Sequence, residues 1–321
     1  MRVPFECTII AMPESLAVLS LRDVATVPFA LAIREAYERY GFVVIADHGI
    51  APQLLTEFEV LFRNFFALPE ARKRTYHLPG GGGARGYTPF GIETAKDSRH
   101  ADLKEFWHIG RELPAGHRYR PSMPENIWAA ELPGFRDISL ALMAALDHIG
   151  RQLLAAIARS LQLSSDFFED KVNEGNSVLR VIHYPAMPAH ATESVRAGAH
   201  EDINVITLLL GAAEPGLQIL DRNQRWLAIN PAPGTLVCNV GDMLQRLTNG
   251  VLRSTTHRVV NPASDRAGFA RYSMPYFLHF NPDFLIRTLP NCISRSHPNL
   301  YPDPITADAY LRERLREIKL L

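Results

Sequence analysis

Residues 197–210 read AGAHEDINVITLLL, so that one imidazole, His200, is followed by two adjacent carboxylates, Glu201 and Asp202, at the start of an apolar run. If a strand begins at residue 200, residues i and i+2 share one of its faces. His200 and Asp202 then point the same way, and Glu201 points to the other side of the sheet. The pattern therefore predicts a metal site in which Asp202, and not Glu201, joins His200.

The sequence around this stretch predicts further strands. After about residue 176, short segments rich in β-branched and aromatic residues are separated by Pro, Gly and Asn, which is typical of strands and their turns. These segments lie at 178–184, 203–210, 217–220, 226–229, 235–240 and 271–280. Several short strands at close spacing indicate a sandwich or a barrel.

The first half of the chain predicts helices instead. Apolar residues recur every three or four positions in 27–40, 54–68 and 135–163, and a last helix is predicted at 306–319. We find neither an internal repeat nor a long low-complexity linker. We therefore expect an α+β fold with a mainly β core in a single domain, 1–321. It comprises a mostly helical part at 1–175, the core at 176–290 and a C-terminal segment with a helix at 291–321.

Composition excludes some classes of partner. Of the 321 residues, 47% are hydrophobic and 21% charged, and 34 basic residues balance 34 acidic ones. Zero net charge argues against a broad basic face for nucleic acid or an anionic membrane, so we expect neither partner. No 18-residue apolar run or convincing signal peptide is evident.

Three widely spaced cysteines, Cys7, Cys238 and Cys292, indicate a reducing compartment, so we expect a cytoplasmic protein. The oligomeric state is not predicted.

A third metal ligand is available at His257, which lies in LRSTTHRVVNP just before another apolar run. Two histidines and one carboxylate form the facial triad of non-haem Fe(II) oxygenases, which leaves positions open on the metal. A keto-acid co-substrate would also need a cation for its distal carboxylate. Arg271 and Ser273 in RYSMPYF share one strand face and could supply a bidentate guanidinium and a hydroxyl.

These residues resemble the 2-oxoglutarate- and Fe(II)-dependent oxygenases of the isopenicillin N synthase-like group, and the resemblance covers most of the chain. Several independent motifs carry it in the family's order: GFVVIADHGI (41–50), RGYTPFGIE (85–93), DLKEFWHIG (102–110), HYP (183–185), AHEDINVITLLL (199–210), the segment 230–262 from NPAPG to RVVNP, and RYSMPYF (271–277).

The resemblance implies a double-stranded β-helix, or jelly roll, with flanking helices. It implies that Fe(II) is bound by His200, Asp202 and His257, and that 2-oxoglutarate is bound by Arg271, Ser273 and Tyr184. O2 would be the other co-substrate, and a small molecule would be oxidised, most simply by hydroxylation, with release of succinate and CO2. No catalytic side chain is implied beyond the metal centre.

The sequence departs from the family pattern at a few positions. Glu201 stands where Thr is usual, Ile182 replaces an Asn that contacts the co-substrate, and His183 replaces a Tyr. The interval between His257 and Arg271 is also long, with the extra residues at PASDRAG (262–268). These departures affect the co-substrate geometry more than the metal site.

Two other functions stay open. An Arg-x-Ser pair can hold a substrate carboxylate in a cyclase that uses iron without 2-oxoglutarate, and a jelly roll can bind a ligand without chemistry.

Several other features have simpler interpretations. GGGGARG (80–86) lacks the ending of a phosphate-binding loop and indicates a flexible loop. Asn239, Gly241 and Asp242 indicate a tight turn. Arg99, Lys104 and Arg196 suggest an anionic ligand, but surface charge is the simpler interpretation.

Overall fold

Two β-sheets face each other across an apolar interior in the described part of the chain. The computed structural model describes residues 16–80, 83–92, 103–186, 196–210, 216–261 and 268–317. The strands, in chain order, are β1 (Val18–Ser20), β2 (Phe42–Ala46), β3 (Gly86–Thr88), β4 (Glu105–Gly110), β5 (Val178–Tyr184), β6 (Ala197–His200), β7 (Ile206–Leu210), β8 (Leu217–Leu220), β9 (Trp226–Ala228), β10 (Leu236–Val240), β11 (His257–Val259), β12 (Arg271–Leu278), β13 (Leu285–Ile286) and β14 (Ile305–Thr306).

Helices lie mostly in the first half, as the apolar periodicity predicts. They are α1 (Val27–Arg39), α2 (Pro52–Phe66), α3 (Glu70–Arg74), α4 (Phe135–Ser160), α5 (Glu169–Val172), α6 (Asp242–Leu247) and α7 (Ala307–Glu317). Helix α1 begins with the Thr26 side chain accepting a hydrogen bond from the Phe29 amide, and Pro28 lies in its first turn, two features that favour a helix start.

The large sheet has the strand order β1-β2-β10-β7-β12-β5-β4-β3, and the small sheet has the order β6-β11-β8-β9. Strands β13 and β14 form a separate pair. Most pairs are antiparallel, and consecutive strands often belong to different sheets, as in β5, β6 and β7. This arrangement is the jelly roll that the family resemblance implies, and it agrees with the sandwich or barrel that the strand pattern predicts.

Alternating side chains divide the large sheet between two cores. In β2, Phe42 and Val44 pack with Ile219 of the small sheet, whereas Val43 and Ile45 pack against the helices. This division follows from the two-residue period of a β-strand, because the side chains of neighbouring residues point to opposite faces of the sheet. The first group therefore marks the inner face of the large sheet, and the second marks its helix-covered outer face.

Helix α4 covers the outer face. It is long and apolar enough to cross a membrane by length and composition, but half of its most apolar window is buried within the protein. Leu142, Leu146, Leu153 and Ile157 are all buried in the core that α4 shares with α1, α2 and the sheet. The apolar character of α4 is therefore accounted for by packing.

One sequence prediction needs correction. The predicted strand through residue 200 is wrong in its middle, because β6 ends at His200 and β7 begins only at Ile206. The residues between β6 and β7 carry the chain from the small sheet to the large one, and they are not part of a strand in either sheet. The part predicted to be mostly helical also contributes four short strands, β1 to β4, to the large sheet. The single domain stays a prediction, and residues 262–267, within the extra residues at PASDRAG, lie outside the described part of the chain.

Candidate metal centre

Three side chains that the sequence predicts as metal ligands converge in the interior. His200, Asp202 and His257 each offer one ligand atom, and these atoms all lie within 4.8 Å of one another. Oδ1 of Asp202 lies 3.9 Å from Nε2 of His200 and 3.8 Å from Nε2 of His257. Two imidazole nitrogens and one carboxylate oxygen form the donor set of a facial Fe(II) site, so the residues fit this metal.

Strand pairing brings the two histidines together. His200 ends β6 and His257 begins β11, and they are direct partners in the antiparallel pair. Their ring centroids are 4.3 Å apart, and Phe42 makes a T-shaped contact with His257, with centroids 5.4 Å apart. The imidazoles are therefore held by the sheet itself.

Hydrogen bonds fix which nitrogen of each imidazole faces the centre. Nδ1 of His200 lies 2.8 Å from the Gly198 carbonyl, and Nδ1 of His257 lies 3.0 Å from the Thr255 carbonyl. A carbonyl can only accept, so both Nδ1 atoms carry the hydrogen. Both Nε2 lone pairs are then available to a metal, and such bonds commonly orient ligating histidines.

The Asp202 carboxylate is oriented by two neighbours on the large sheet. Thr207 Oγ1 donates to Oδ2 across 2.6 Å, and Asn239 Nδ2 donates to the same oxygen across 2.8 Å. Oδ2 is thereby engaged, and Oδ1 is the oxygen that faces the histidines. The sequence did not predict these two residues; Asn239 lies within β10 and not in the predicted turn.

The loop that carries Asp202 is pinned to the start of α6. The amide of Asp242 donates to the Asp202 carbonyl across 2.7 Å, and the amide of Gly241 donates to the Val205 carbonyl across 2.9 Å. A Cβ atom at position 241 would lie 2.2 Å from the Asn204 carbonyl oxygen, so only glycine fits there. Asp202 therefore reaches the site from a braced loop, and not through the strand alternation that the sequence suggested.

The electrostatics favour the protonation states that a metal needs. Burial, and then the charge of His257, lower the pKa of His200 to about 4, although Asp202 opposes the change. Burial alone would raise the pKa of Asp202, but His257, His200 and the hydrogen bonds to Oδ2 lower it instead. A neutral imidazole and an ionised carboxylate are thus present at neutral pH. The side chain of His200 remains 42% exposed, which gives the centre access from one side.

Glu201 points away from the three converging atoms, as predicted, but for another reason. Its Oε1 accepts a hydrogen bond from Thr256 Oγ1. Thr256 directly precedes His257, so Glu201 links the Asp202 loop to the start of β11. This bond gives Glu201 a structural role at the position where the family usually has Thr.

The residues predicted to hold 2-oxoglutarate lie on two neighbouring strands, β5 and β12. Arg271 is the register partner of Tyr184, and Ser273 is that of Ile182. The guanidinium carbon of Arg271 lies 5.3 Å from the Tyr184 ring centroid, and Arg271, Ser273 and Tyr184 are all buried. Ile182 packs with Phe106 and Tyr184, so an apolar surface replaces the Asn of the family.

Arg196 and Lys104 are not surface residues, which corrects their simpler sequence interpretation. Arg196 is fully buried, its guanidinium carbon lies 5.9 Å from the Tyr184 ring, and its Nη2 donates to the Phe269 carbonyl across 3.0 Å. Two guanidinium groups therefore flank one tyrosine ring. Lys104 is 8% exposed, and Arg99 lies outside the described residues.

His183 belongs to the outer face and not to the metal centre. Its ring packs against both Phe66 and Tyr272, at centroid distances of 5.2 and 4.9 Å, and its Nδ1 lies 2.7 Å from Glu105 Oε1. His297 is also structural, because its Nε2 contacts the Asn249 carbonyl across 2.8 Å.

Comparison with known families gives two matches. The model of the 2OG-Fe(II) oxygenase superfamily matches residues 175–280, which contain the six predicted ligands. The model of the N-terminal part of the non-haem dioxygenases in morphine synthesis matches residues 16–131. Together the two matches cover both the strand-rich and the helix-rich parts of the chain.

Individual proteins agree with the families. A 2-oxoglutarate-Fe(II) type oxidoreductase, hxnY of Emericella nidulans, is 33% identical over 87% of this chain and 82% of its own. A crystal structure of a 2OG-Fe(II) oxygenase family protein from Caulobacter crescentus is 52% identical, with a TM-score of 0.88 over 95% of this chain and 99% of its own. A full-length Neurospora crassa protein, crystallised in complex with alpha-KG and thymine, is 26% identical, with a TM-score of 0.82 over 94% and 96%.

Proposed function

The chain belongs to the 2-oxoglutarate- and Fe(II)-dependent oxygenase superfamily, and on this premise we propose which of its residues hold the iron and the co-substrate. It is a dioxygenase that couples oxidation of a substrate to conversion of 2-oxoglutarate into succinate and CO2. The iron ligands are His200, Asp202 and His257. The distal carboxylate of 2-oxoglutarate is held by Arg271, Ser273 and Tyr184.

One observation carries the assignment of the metal ligands: three donor atoms converge while the other polar atoms of the same side chains are already engaged. Both Nδ1 atoms donate to carbonyls, and Oδ2 of Asp202 accepts from Thr207 and Asn239. A cluster that merely neutralised a buried carboxylate would not need both imidazoles to turn Nε2 inward.

The residues of the protein would position iron and 2-oxoglutarate and keep water away from them. When bound, the iron and 2-oxoglutarate activate O2, so that one oxygen atom enters succinate and the other enters a C–H bond of the substrate. Hydroxylation is the simplest outcome of that balance. Phe42 packs against His257, and Ile182 packs with Tyr184, so apolar surface lies beside both sets of ligands and helps to exclude water, while Arg271 would orient the co-substrate.

Two alternatives from the sequence remain distinguishable by experiment. An iron cyclase would consume O2 in the absence of 2-oxoglutarate, and a silent jelly roll would consume none. The 2-oxoglutarate oxygenase requires 2-oxoglutarate for O2 uptake and forms succinate. The Neurospora crassa protein was crystallised with thymine, which is a small molecule, and we propose a small molecule as substrate here too. The cytoplasmic location and the absence of nucleic-acid and membrane partners stay predictions from the sequence.

The decisive experiment is an anaerobic titration of the metal-free protein with Fe(II) and then 2-oxoglutarate, followed by visible absorption. A metal-to-keto-acid charge-transfer band should appear in the wild type and be absent from His200→Ala. Addition of O2 should then form succinate in the wild type only. The assignment fails if His200→Ala keeps both the band and succinate formation.

A further inference from the structure

Helix α6 contacts two segments that carry proposed iron ligands. Its first residue, Asp242, donates its amide to the Asp202 carbonyl across 2.7 Å, in the loop after β6. Oε1 of Gln245 accepts a hydrogen bond from the Ser254 amide across 2.9 Å, in the segment that leads to His257. Helix α6 therefore supports the chain beside the carboxylate ligand and beside one imidazole ligand.

The same two residues of α6 also contact the C-terminal part of the chain. Oδ2 of Asp242 accepts a hydrogen bond from the Tyr310 hydroxyl across 3.3 Å, and Nε of Arg314 lies 3.6 Å from the same oxygen. Nε2 of Gln245 donates to the Tyr301 hydroxyl across 3.3 Å. We name Tyr301, Tyr310 and Arg314 the C-terminal brace. Asp242 and Gln245 each join this brace to a segment that carries a ligand.

Arg246 adds contacts between α6 and the aromatic residues of the brace. Its guanidinium carbon lies 5.1 Å from the ring centroid of Tyr301 and 5.9 Å from that of Tyr310. Its Nη2 donates to the Asp303 carbonyl. A guanidinium at such distances attracts an aromatic ring, so Arg246 helps to hold both tyrosines against α6.

Asp242 needs its contacts with α7 because its carboxylate is buried. The residue is 8% exposed, and a carboxylate that has lost water is stable only when charged or hydrogen-bonding groups replace it. Tyr310 and Arg314 supply such groups from α7. If they were removed, the carboxylate would gain by turning towards solvent, and the amide of Asp242 would be drawn away from the Asp202 carbonyl.

We propose that the C-terminal brace positions the iron ligands, so that docking of α7 on α6 sets the affinity of the site for metal. The inference rests on the proposed function, because it takes Asp202 and His257 as iron ligands. Such a site works only when its ligands are held within about 0.5 Å of the productive geometry, and a loop needs a rigid support to achieve this. The members of the brace are therefore positioning residues that act through α6.

The first test measures the Kd of the metal-free full chain for Mn(II) by calorimetry. Arg314→Gln and Tyr310→Phe remove the two contacts that α7 makes with Asp242. Each should raise the Kd, and the double variant should raise it by about tenfold, at the low end for residues that orient a ligand because the brace acts through a further residue. Arg314→Lys keeps the charge and should lose less affinity.

The matched control is Arg312→Gln, on the same helix. Nε of Arg312 contacts Oδ2 of Asp308 across 2.7 Å, so this variant removes the same type of side chain and an ion pair within α7. It should bind Mn(II) as the wild type does. Urea unfolding of each metal-free variant establishes that the Kd is measured on folded protein.

The second test needs no substitution. If docking of α7 strengthens metal binding, metal binding must strengthen the docking of α7 by the same factor, because coupling between two equilibria is reciprocal. Hydrogen exchange of the α7 amides should therefore slow when Mn(II) is added to the metal-free wild type. The amides of α2, which packs against α4, are the reference for general stabilisation, and they should slow less than those of α7.

The inference is overturned if the double variant binds Mn(II) as tightly as the wild type, or if Arg312→Gln weakens binding as much as Arg314→Gln. It is also overturned if Mn(II) slows exchange in α7 no more than in α2. Failure of the proposed function is a different result: the wild type would then bind no metal, or would form no succinate from 2-oxoglutarate when loaded with Fe(II). Succinate formation by the wild type, with unchanged metal affinity in the double variant, would overturn this inference alone.

Discussion

The Asn239 amide and the Asp202 carboxylate are joined across the interior, from the middle of β10 to the loop after β6, by a hydrogen bond of 2.8 Å. Asn239 is 4% exposed in a strand whose neighbouring residues, Cys238 and Val240, are fully buried. A polar side chain at such a position needs a buried partner. Asn239 is therefore best understood as the residue that turns Oδ1 of Asp202 towards the two histidines.

Removing this hydrogen bond should weaken metal binding without removing a ligand. We expect Asn239→Ala to raise the Kd for Mn(II) or Fe(II) by about 10- to 100-fold, the usual effect of losing a residue that orients a ligand. The measurement is an anaerobic metal titration followed by calorimetry. Thr207→Val removes the other donor to Oδ2 and should act in the same direction. Unchanged metal affinity in both variants would contradict this role.

The two adjacent carboxylates should respond differently to the same chemical change. Asp202→Asn and Glu201→Gln each remove one negative charge with almost no change in shape. We expect Asp202→Asn to abolish Fe(II) binding and Glu201→Gln to retain it, because Oδ1 of Asp202 faces both Nε2 atoms while Glu201 contacts Thr256. Glu201→Thr should also retain iron. Loss of iron from Glu201→Gln alone would mean that the wrong carboxylate has been assigned.

Most residues of the candidate site could be predicted from the sequence, because they lie in or beside strands with a clear pattern of apolar residues. Segment 178–184 became β5 with the predicted bounds, and Arg271 and Ser273 share a face of β12 as expected. Strand alternation predicted that Asp202 lies beside His200, but in the structure a loop at 201–205 brings the two together. Local periodicity cannot show where a chain leaves one sheet for another, because that point is set by packing between the sheets.

The partners of the ligands were less predictable. Asn239 stands among apolar residues in TLVCNV, and an interior polar residue in an otherwise apolar strand was the signal that could have identified it. Arg196 gave no such signal, because a basic residue beside a loop is usually exposed. In the structure it is buried near the ring of Tyr184, a residue of β5 that is distant in sequence.

Arg196 should contribute to co-substrate binding. Its guanidinium flanks the Tyr184 ring together with that of Arg271, at 5.9 and 5.3 Å from the ring centroid. We expect Arg196→Gln to raise the Kd for 2-oxoglutarate by about tenfold, and Arg271→Gln to raise it further, because a charged hydrogen-bond donor is lost in each. The measurement is a 2-oxoglutarate titration of the Mn(II)-loaded protein. Normal binding by Arg196→Gln would assign Arg196 a purely structural role.

The metal-free protein should lose stability as the pH falls below about 6.5. Burial lowers the pKa of His279, which is 7% exposed, from 6.5 to about 4, and the pKa of His200 is lowered as well, although its side chain is 42% exposed. Between these values the unfolded chain binds protons that the folded chain does not, so the free energy of unfolding decreases as pH falls. The depressed pKa of Asp202 acts in the same direction at still lower pH.

Urea unfolding of the metal-free protein between pH 7.5 and pH 4.5 measures this effect. His279→Gln removes one of the two groups without touching a proposed iron ligand, so its unfolding free energy should depend less steeply on pH. An identical slope in the variant and the wild type would show that His279 is not kept neutral by burial.

Removing one partner of the buried ion pair of Lys73 and Glu105, outside the metal centre, should strongly destabilise the protein. Nζ of Lys73 lies 2.6 Å from Oε2 of Glu105, which is 1% exposed, and the same carboxylate accepts from Tyr87 across 2.5 Å. Burial alone would raise the pKa of Glu105, but His183 on its other oxygen, Lys73 and Tyr87 lower it instead. Lys73→Met would leave a buried carboxylate without its cation.

We expect Lys73→Met to reduce the free energy of unfolding by about 3 kcal/mol at neutral pH, at the low end for a broken buried pair because Tyr87 and His183 still contact the carboxylate. The control is the double variant Lys73→Met with Glu105→Gln, which removes the charge as well and should recover part of the loss. Urea unfolding measures both. If the double variant is as unstable as the single one, the loss arises from packing around Lys73 and not from an uncompensated charge on Glu105.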